Sequence, residues 1–160
     1  MLPNITHYQE AASHGDPEAQ YKLAISFAIG ISVSQNYAEA IKWLQKASDQ
    51  NYGKALYSLG KSYALGAGVN RCYETAITLY LKAANKGIAE AQYNLAYCYA
   101  NGRGIPQDYL TACMWANIAN LNGITVAKSL QDKFKLHLSE EEMEKAQRLA
   151  EEWMANRRTE

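Results

Sequence analysis

The chain has 160 residues, and its 16 Lys and Arg residues balance its 16 Asp and Glu residues. Zero net charge without a basic run argues against binding to nucleic acid or to an anionic membrane surface. No apolar run reaches about 18 residues, which excludes membrane insertion. The first residues lack a signal-peptide pattern, which favours the cytoplasm while leaving the periplasm and secretion open.

The chain opens with an incomplete repeat. The stretch YQEAASHGDPEAQ at residues 8–20 resembles LKAANKGIAEAQ at residues 81–92. Residues 1–15 are therefore predicted to supply one capping helix. Asp16 is expected to cap the next helix at its N-terminus, with Pro17 as the first helical residue.

A 36-residue repeat follows. Gly30, Gly66 and Gly102 keep this spacing. Other positions keep the same phase: Tyr21, Tyr57 and Tyr93; Leu23, Leu59 and Leu95; Ala40, Ala76 and Ala112; Trp43, Leu79 and Trp115. So many positions in phase indicate a repeat protein. Its repeats are predicted at residues 16–51, 52–87 and 88–123.

Each repeat is predicted to contain a helix, a glycine loop, a second helix and a glycine stop. Gly66 and Gly102 should take positive φ, since each ends a helix that reverses at once. No strand precedes them, which argues against a dinucleotide site. Ser32 replaces a loop glycine in the first repeat, next to the apolar Ile31. That loop is predicted either to bend differently or to meet a partner.

The last predicted region, residues 124–160, is a degenerate capping helix pair. Its second helix should begin with a capping box formed by Ser139 and Glu142. An apolar stripe on that helix is predicted to cover the end of the array. Its members are Met143, Ala146, Leu149, Ala150, Trp153 and Met154.

The cysteines and histidines do not form a recognisable pattern. Cys72, Cys98 and Cys113 are odd in number and follow no disulfide framework, and Cys98 and Cys113 are expected to pack as small apolar side chains. The three histidines are scattered. We therefore predict no metal site and no cofactor.

The repeated pattern resembles a known family. Its parts are ALYSLGKSYALGAGV with LKAANKG, and AQYNLAYCYANGRGI. This pattern is similar to the Sel1-like repeat, a relative of the tetratricopeptide repeat, and the resemblance points to a bacterial protein. It implies an all-α fold, a right-handed α-solenoid of antiparallel helix pairs. About nine helices would form a superhelix like that of tetratricopeptide arrays.

The same resemblance implies that the first helix of each repeat lines a concave groove. The residues predicted to face it are Tyr21, Ile25, Lys54, Tyr57, Lys61, Tyr93 and Tyr97. Chaperone-binding relatives clamp a peptide carboxylate with Lys and Asn in these positions, and here only Lys61 fits. An aromatic groove with isolated charges favours a protein or peptide segment as partner. The in-phase tyrosines are open to a packing role, which makes the out-of-phase Tyr97 the better binding candidate.

A non-catalytic scaffold or adaptor is the favoured function. The alternative is a neutralising or effector protein that holds a toxin or a host protein. A second alternative is a penicillin-recognising enzyme, because Ser58 and Lys61 match its Ser-x-x-Lys motif. The accompanying Lys-Thr-Gly is missing, and a repeat helix contains both residues. We therefore expect no enzymatic activity.

Overall fold

The computed structural model describes residues 5–125 and 127–157, which are helical and contain no strand. These ranges contain nine helices: α1 (Ile5–Ser13), α2 (Pro17–Ile29), α3 (Tyr37–Asp49), α4 (Gly53–Leu65), α5 (Tyr73–Asn85), α6 (Ala89–Asn101), α7 (Tyr109–Leu121), α8 (Ala127–Phe134) and α9 (Glu140–Asn156). They form two compact units, Met1–Lys86 and Gly87–Glu160. The all-α prediction is confirmed.

The first unit, Met1–Lys86, contains the hairpins α2–α3 and α4–α5, and α1 packs against α2. Small side chains occupy the places where its helices meet, which lets the backbones approach closely. One buried cluster contains Ala24, Leu44, Ala47, Ala55 and Leu59. Burial of these apolar side chains supplies the main driving force for forming the unit.

The contact between α4 and α5 depends on a glycine inside a helix. A Cβ added at Gly60 would lie 2.9 Å from two ring carbons of Tyr80 and 3.2 Å from the carbonyl oxygen of Ala76. Tyr80 is only 2% exposed. The first repeat has Ala24 and Leu44 in the corresponding positions, so a larger residue on one helix matches a smaller one on the other.

The three glycine loops share one backbone path. Gly30, Gly66 and Gly102 have φ of 75°, 74° and 63° and end their helices in the left-handed conformation. The prediction for Gly66 and Gly102 is confirmed. Each loop is closed when the amide of the next N-cap residue donates to a carbonyl of the preceding helix. These pairs are Asn36 to Phe27, Cys72 to Tyr63 and Asp108 to Tyr99, at 2.8, 3.0 and 3.0 Å.

The first loop corrects one expectation. Ser32 has φ of 63°, close to the 76° and 70° of Gly68 and Gly104. The prediction of a different bend is therefore wrong, because the closing hydrogen bond holds serine in a conformation that glycine adopts more easily. The stop of the first repeat also differs from expectation, since Asn51 takes the left-handed conformation there with φ of 59°.

Two kinds of residue begin the helices. Asp16 accepts a hydrogen bond from the amide of Ala19 and precedes Pro17, as predicted. Asn36 and Asp108 cap α3 and α7 in the same way. Cys72 occupies the corresponding position before α5, and its side chain makes no capping hydrogen bond. The amides at the start of α5 therefore lack the acceptor that the other second helices have.

The second unit, Gly87–Glu160, contains the hairpin α6–α7, and both α8 and α9 pack against α7. The capping box of Ser139 and Glu142 is present. The rings of Trp115 and Trp153 meet edge to face with centroids 5.4 Å apart. The apolar stripe of α9 thus covers α7, as the sequence predicts.

The two cysteines of this unit are buried. Cys98 is 4% exposed and Cys113 is fully enclosed. Burial raises the pKa of the Cys98 thiol, and it raises that of Cys113 to about 11. Both therefore remain neutral thiols at physiological pH and act as small packing residues, which confirms the prediction.

Candidate interaction surface

The first helix of each repeat carries a stripe of four side chains. We name them the α2 stripe (Glu18, Tyr21, Ile25, Ile29), the α4 stripe (Lys54, Tyr57, Lys61, Leu65) and the α6 stripe (Glu90, Tyr93, Tyr97, Asn101). Steps of three and four residues place the members of a stripe on one side of a helix. The stripes contain all seven residues predicted to contact a partner.

The α4 stripe is cationic and ends in an apolar residue. Lys54 and Lys61 are exposed, and neither belongs to any of the ion pairs found among the described residues. Between them, the half-buried ring of Tyr57 lies 6.0 Å from that of Tyr80. Leu65 is 66% exposed. The buried Tyr80 thus holds an aromatic ring in place at the surface, with a cation on either side.

The α2 stripe neutralises its own charge. Glu18 and Lys22 form an ion pair with a distance of 2.7 Å between the carboxylate oxygen and the amine nitrogen. The hydrogen bond to Glu18 raises the pKa of Lys22. Tyr21 packs against Tyr52 with ring centroids 5.6 Å apart, while Ile29 is 57% exposed.

The α6 stripe is acidic at its start and polar at its end. The guanidinium of Arg103 lies 5.0 Å from the ring centroid of Tyr97, a distance at which cation and ring attract. Asn101 accepts a hydrogen bond of 3.0 Å from the amine of Lys133. Glu90 is exposed, and Tyr93 is half-buried.

The units divide the predicted site residues. Tyr21, Ile25, Lys54, Tyr57 and Lys61 belong to the first unit, and Tyr93 and Tyr97 belong to the second. That all seven line a single groove stays a prediction.

Sequence reasoning missed several residues around the stripes. It left out Leu65, although the four-residue step from Lys61 could have identified it. It also missed Tyr80 and Arg103, which contact the rings of Tyr57 and Tyr97.

The residues of the Ser-x-x-Lys match show no catalytic pairing. No hydrogen bond joins the Ser58 hydroxyl to the Lys61 amine, and the Ser58 carbonyl oxygen accepts from Ser62 at 3.0 Å. In the described ranges, no three His, Cys, Asp or Glu side chains come together in a metal-binding group. No helix there has both the length and the apolar character needed to span a bilayer.

The fold defines a repeat protein of the α-solenoid class, built from helical hairpins. Three consecutive segments, residues 17–52, 53–88 and 89–124, match the Sel1 repeat. The chain belongs to the Sel1 repeat family. Sel1 repeats typically mediate protein–protein interactions.

Solved structures of this family show the same fold. One is a protective antigen present in uropathogenic Escherichia coli strains that displays an SLR fold. The match covers 94% of this chain and 32% of the antigen's chain, with a TM-score of 0.86 and 25% sequence identity. A Sel1 repeat protein from Oxalobacter formigenes matches 77% of this chain and 51% of its own, with a TM-score of 0.72 and 31% identity.

A sequence relative is a Sel1-like repeat-containing protein of Acanthamoeba polyphaga mimivirus. It is 49% identical over 41 residues, which make up 26% of this chain and 7% of the relative. The chain thus spans at most about half the length of these three proteins.

Proposed function

We propose that the chain is a non-catalytic scaffold that binds a segment of a partner protein on the outward faces of its first helices. The observation that carries the proposal is a half-buried aromatic ring in the middle of the α4 and α6 stripes that contacts a neighbouring side chain. Tyr57 is held by Tyr80, and Tyr97 lies beside Arg103. A ring already held in place contributes a large contact area with little further loss of side-chain entropy.

The charges of the stripes support the same function. Lys54 and Lys61 are exposed without an ion pair, and Lys61 and Tyr97 occupy positions where the first repeat has Ile25. Side chains that vary while the backbone repeats are the ones left for recognition, since packing inside the hairpin does not dictate them. An adaptor in the cytoplasm is the role that we propose for such a surface.

The test begins with a pull-down, in which the purified chain isolates a binding partner from an extract of the organism that makes it. Tyr57→Ala and Tyr97→Ala should each weaken that complex by about 1–2 kcal/mol, the usual contribution of an aromatic anchor. Titration calorimetry with the purified partner measures the change. Circular dichroism melts show whether each variant remains folded.

Tyr73 offers a matched control. It is also half-buried, and Arg71 lies 5.8 Å from its ring centroid, but it belongs to a second helix. Tyr73→Ala should leave the affinity unchanged. Loss of binding in this control, with full binding in both first-helix variants, would overturn the proposed surface.

A further inference from the structure

The charge of α4 sets it apart within the first unit. Its sequence contains Lys54 and Lys61 and no acidic residue. In α2, α3 and α5, by contrast, lysines and acidic residues occur together. The α4 stripe is therefore a local cationic surface on a chain whose formal net charge is zero.

The geometry of this surface is fixed by the helix. Lys61 comes seven positions after Lys54, so the two lie about 10.5 Å apart along the axis at a rise of about 1.5 Å per residue. The ring of Tyr57 lies between them, braced by Tyr80. Leu65 extends the stripe by one more turn and is exposed.

We propose that the α4 stripe binds an acidic segment of a partner in an extended, polyproline II-like conformation, an inference that rests on the function proposed above. This conformation has three residues per turn and a rise of about 3.1 Å per residue. Carboxylates three residues apart therefore lie on one side of the segment, about 9 Å from each other. This spacing matches the two lysines.

The remaining contacts follow from the same register. The residues between the two carboxylates lie over Tyr57, where a proline or another flat apolar side chain packs on the ring. An apolar residue about two positions beyond the carboxylate at Lys61 reaches Leu65. Because the lysines are exposed, their contribution is screened by salt.

The probe for the test is a fluorescein-labelled, proline-rich peptide with two glutamates three residues apart and a leucine two residues beyond the second. Fluorescence anisotropy with the full chain at low ionic strength measures its affinity. A second peptide with both glutamates replaced by glutamine should bind at least about tenfold more weakly. A third, with the glutamates adjacent, should lose most of the same affinity because only one carboxylate then reaches a lysine.

Protein variants locate the binding site. Lys54→Glu with Lys61→Glu should weaken binding of the acidic peptide by about tenfold or more, with an unchanged melting curve. Lys82→Glu with Lys86→Glu is the matched control, since both lysines are exposed on the same unit and belong to none of its ion pairs. This control should change the affinity by less than about twofold.

Four results would overturn the inference: equal affinity for the glutamine peptide, equal affinity for the peptide with adjacent glutamates, no effect of the Lys54 and Lys61 pair, or loss of binding in the control pair alone. The failure of the proposed function is recognised separately. If Tyr57→Ala and Tyr97→Ala weaken the native complex while the lysine pair has no effect on the peptide, only the acidic partner is wrong. Unchanged native binding in both tyrosine variants would reject the protein-binding surface itself.

Discussion

The hairpins α4–α5 and α6–α7 share a backbone and differ in the side chains that they present. Their loops begin at Gly66 and Gly102 with φ of 74° and 63°. Their stripes nevertheless carry opposite charge, with lysines on α4 and Glu90 on α6. The comparison teaches that the 36-residue period fixes the path of the chain and the tyrosine shared by the stripes, whereas the other side chains of the stripes vary between repeats and are available for recognition.

The largest expected effect tests how far the shared loop path tolerates a side chain. A Cβ at Gly68 would lie 2.9 Å from both the Cβ and the carbonyl oxygen of Tyr37, at φ of 76°. Gly68→Ala should lower the free energy of unfolding by about 3 kcal/mol, from left-handed strain and overpacking together. Urea unfolding followed by circular dichroism measures the change.

Gly102 supplies the contrast from the other hairpin. A Cβ there would make only ordinary contacts, the nearest at 3.5 Å from Gln107. Gly102→Ala should therefore cost only about 1 kcal/mol. Equal losses of unfolding free energy at Gly68 and Gly102 would show that the contact with Tyr37 does not restrict the loop between α4 and α5.

The next effect tests the match between Gly60 and Tyr80. Alanine is a better helix former than glycine by about 1 kcal/mol, but its Cβ would overlap the ring of Tyr80. Gly60→Ala should therefore be net destabilising by about 1–2 kcal/mol. Thermal unfolding gives the sign directly, and a stabilised variant would mean that Tyr80 moves aside at little cost.

A double substitution sharpens this result. Gly60→Ala with Tyr80→Leu reproduces the Ala24 and Leu44 pair of the first repeat. The two changes should cost less together than the sum of their separate effects, with a coupling of about 1 kcal/mol. Additive effects would indicate that the two residues do not constrain each other.

The last effect, about as large as that at Gly102, concerns the N-caps of α5 and α7. Cys72→Asp should stabilise the chain by about 1 kcal/mol, because an aspartate there can accept from an amide of the first turn of α5, as Asp108 does in α7, whereas the Cys72 side chain makes no capping hydrogen bond. Asp108→Ala should cost a similar amount. A chemical denaturation curve for each variant measures both changes, and a destabilised Cys72→Asp would contradict the assigned role of this position.

The contribution of Asp108 should also depend on pH. Burial raises its pKa, but hydrogen bonds from the side chain and backbone of Thr111 outweigh that effect, and the net result is a pKa below the ordinary value. Because its pKa is lower in the folded state, ionised Asp108 stabilises the fold at a pH above the unfolded pKa of about 4. This stabilisation is lost as the pH falls from the unfolded pKa through the lower, folded one. The difference between the native chain and Asp108→Ala should therefore shrink in acid.

The path of the backbone could be predicted from the sequence because single residues within each repeat determine it. Glycine at Gly66 and Gly102 marks where a helix must reverse, and phased alanines mark where helices touch. Ser32 shows the limit of this reasoning. A serine would not be expected in the left-handed conformation, and the hydrogen bond between Asn36 and Phe27 that closes the loop is not visible in the local sequence.

The candidate surface was only partly predictable for a related reason. Periodicity places Tyr57 and Tyr97 on the correct face of their helices. Whether each ring has a neighbour depends on a residue outside its own helix, Tyr80 on the second helix of one hairpin and Arg103 in the loop of the other. Such contacts depend on side-chain size and position in three dimensions, so a periodic pattern does not reveal them.

The contrast between the α4 and α6 stripes is tested most directly by a nitrogen-15 NMR titration of the full chain with the acidic, proline-rich peptide. The account predicts that the largest amide shift changes fall within α4 and that α6, with Glu90 in place of Lys54, shows little change. Equal changes in both helices, or changes confined to α3 and α5, would contradict it.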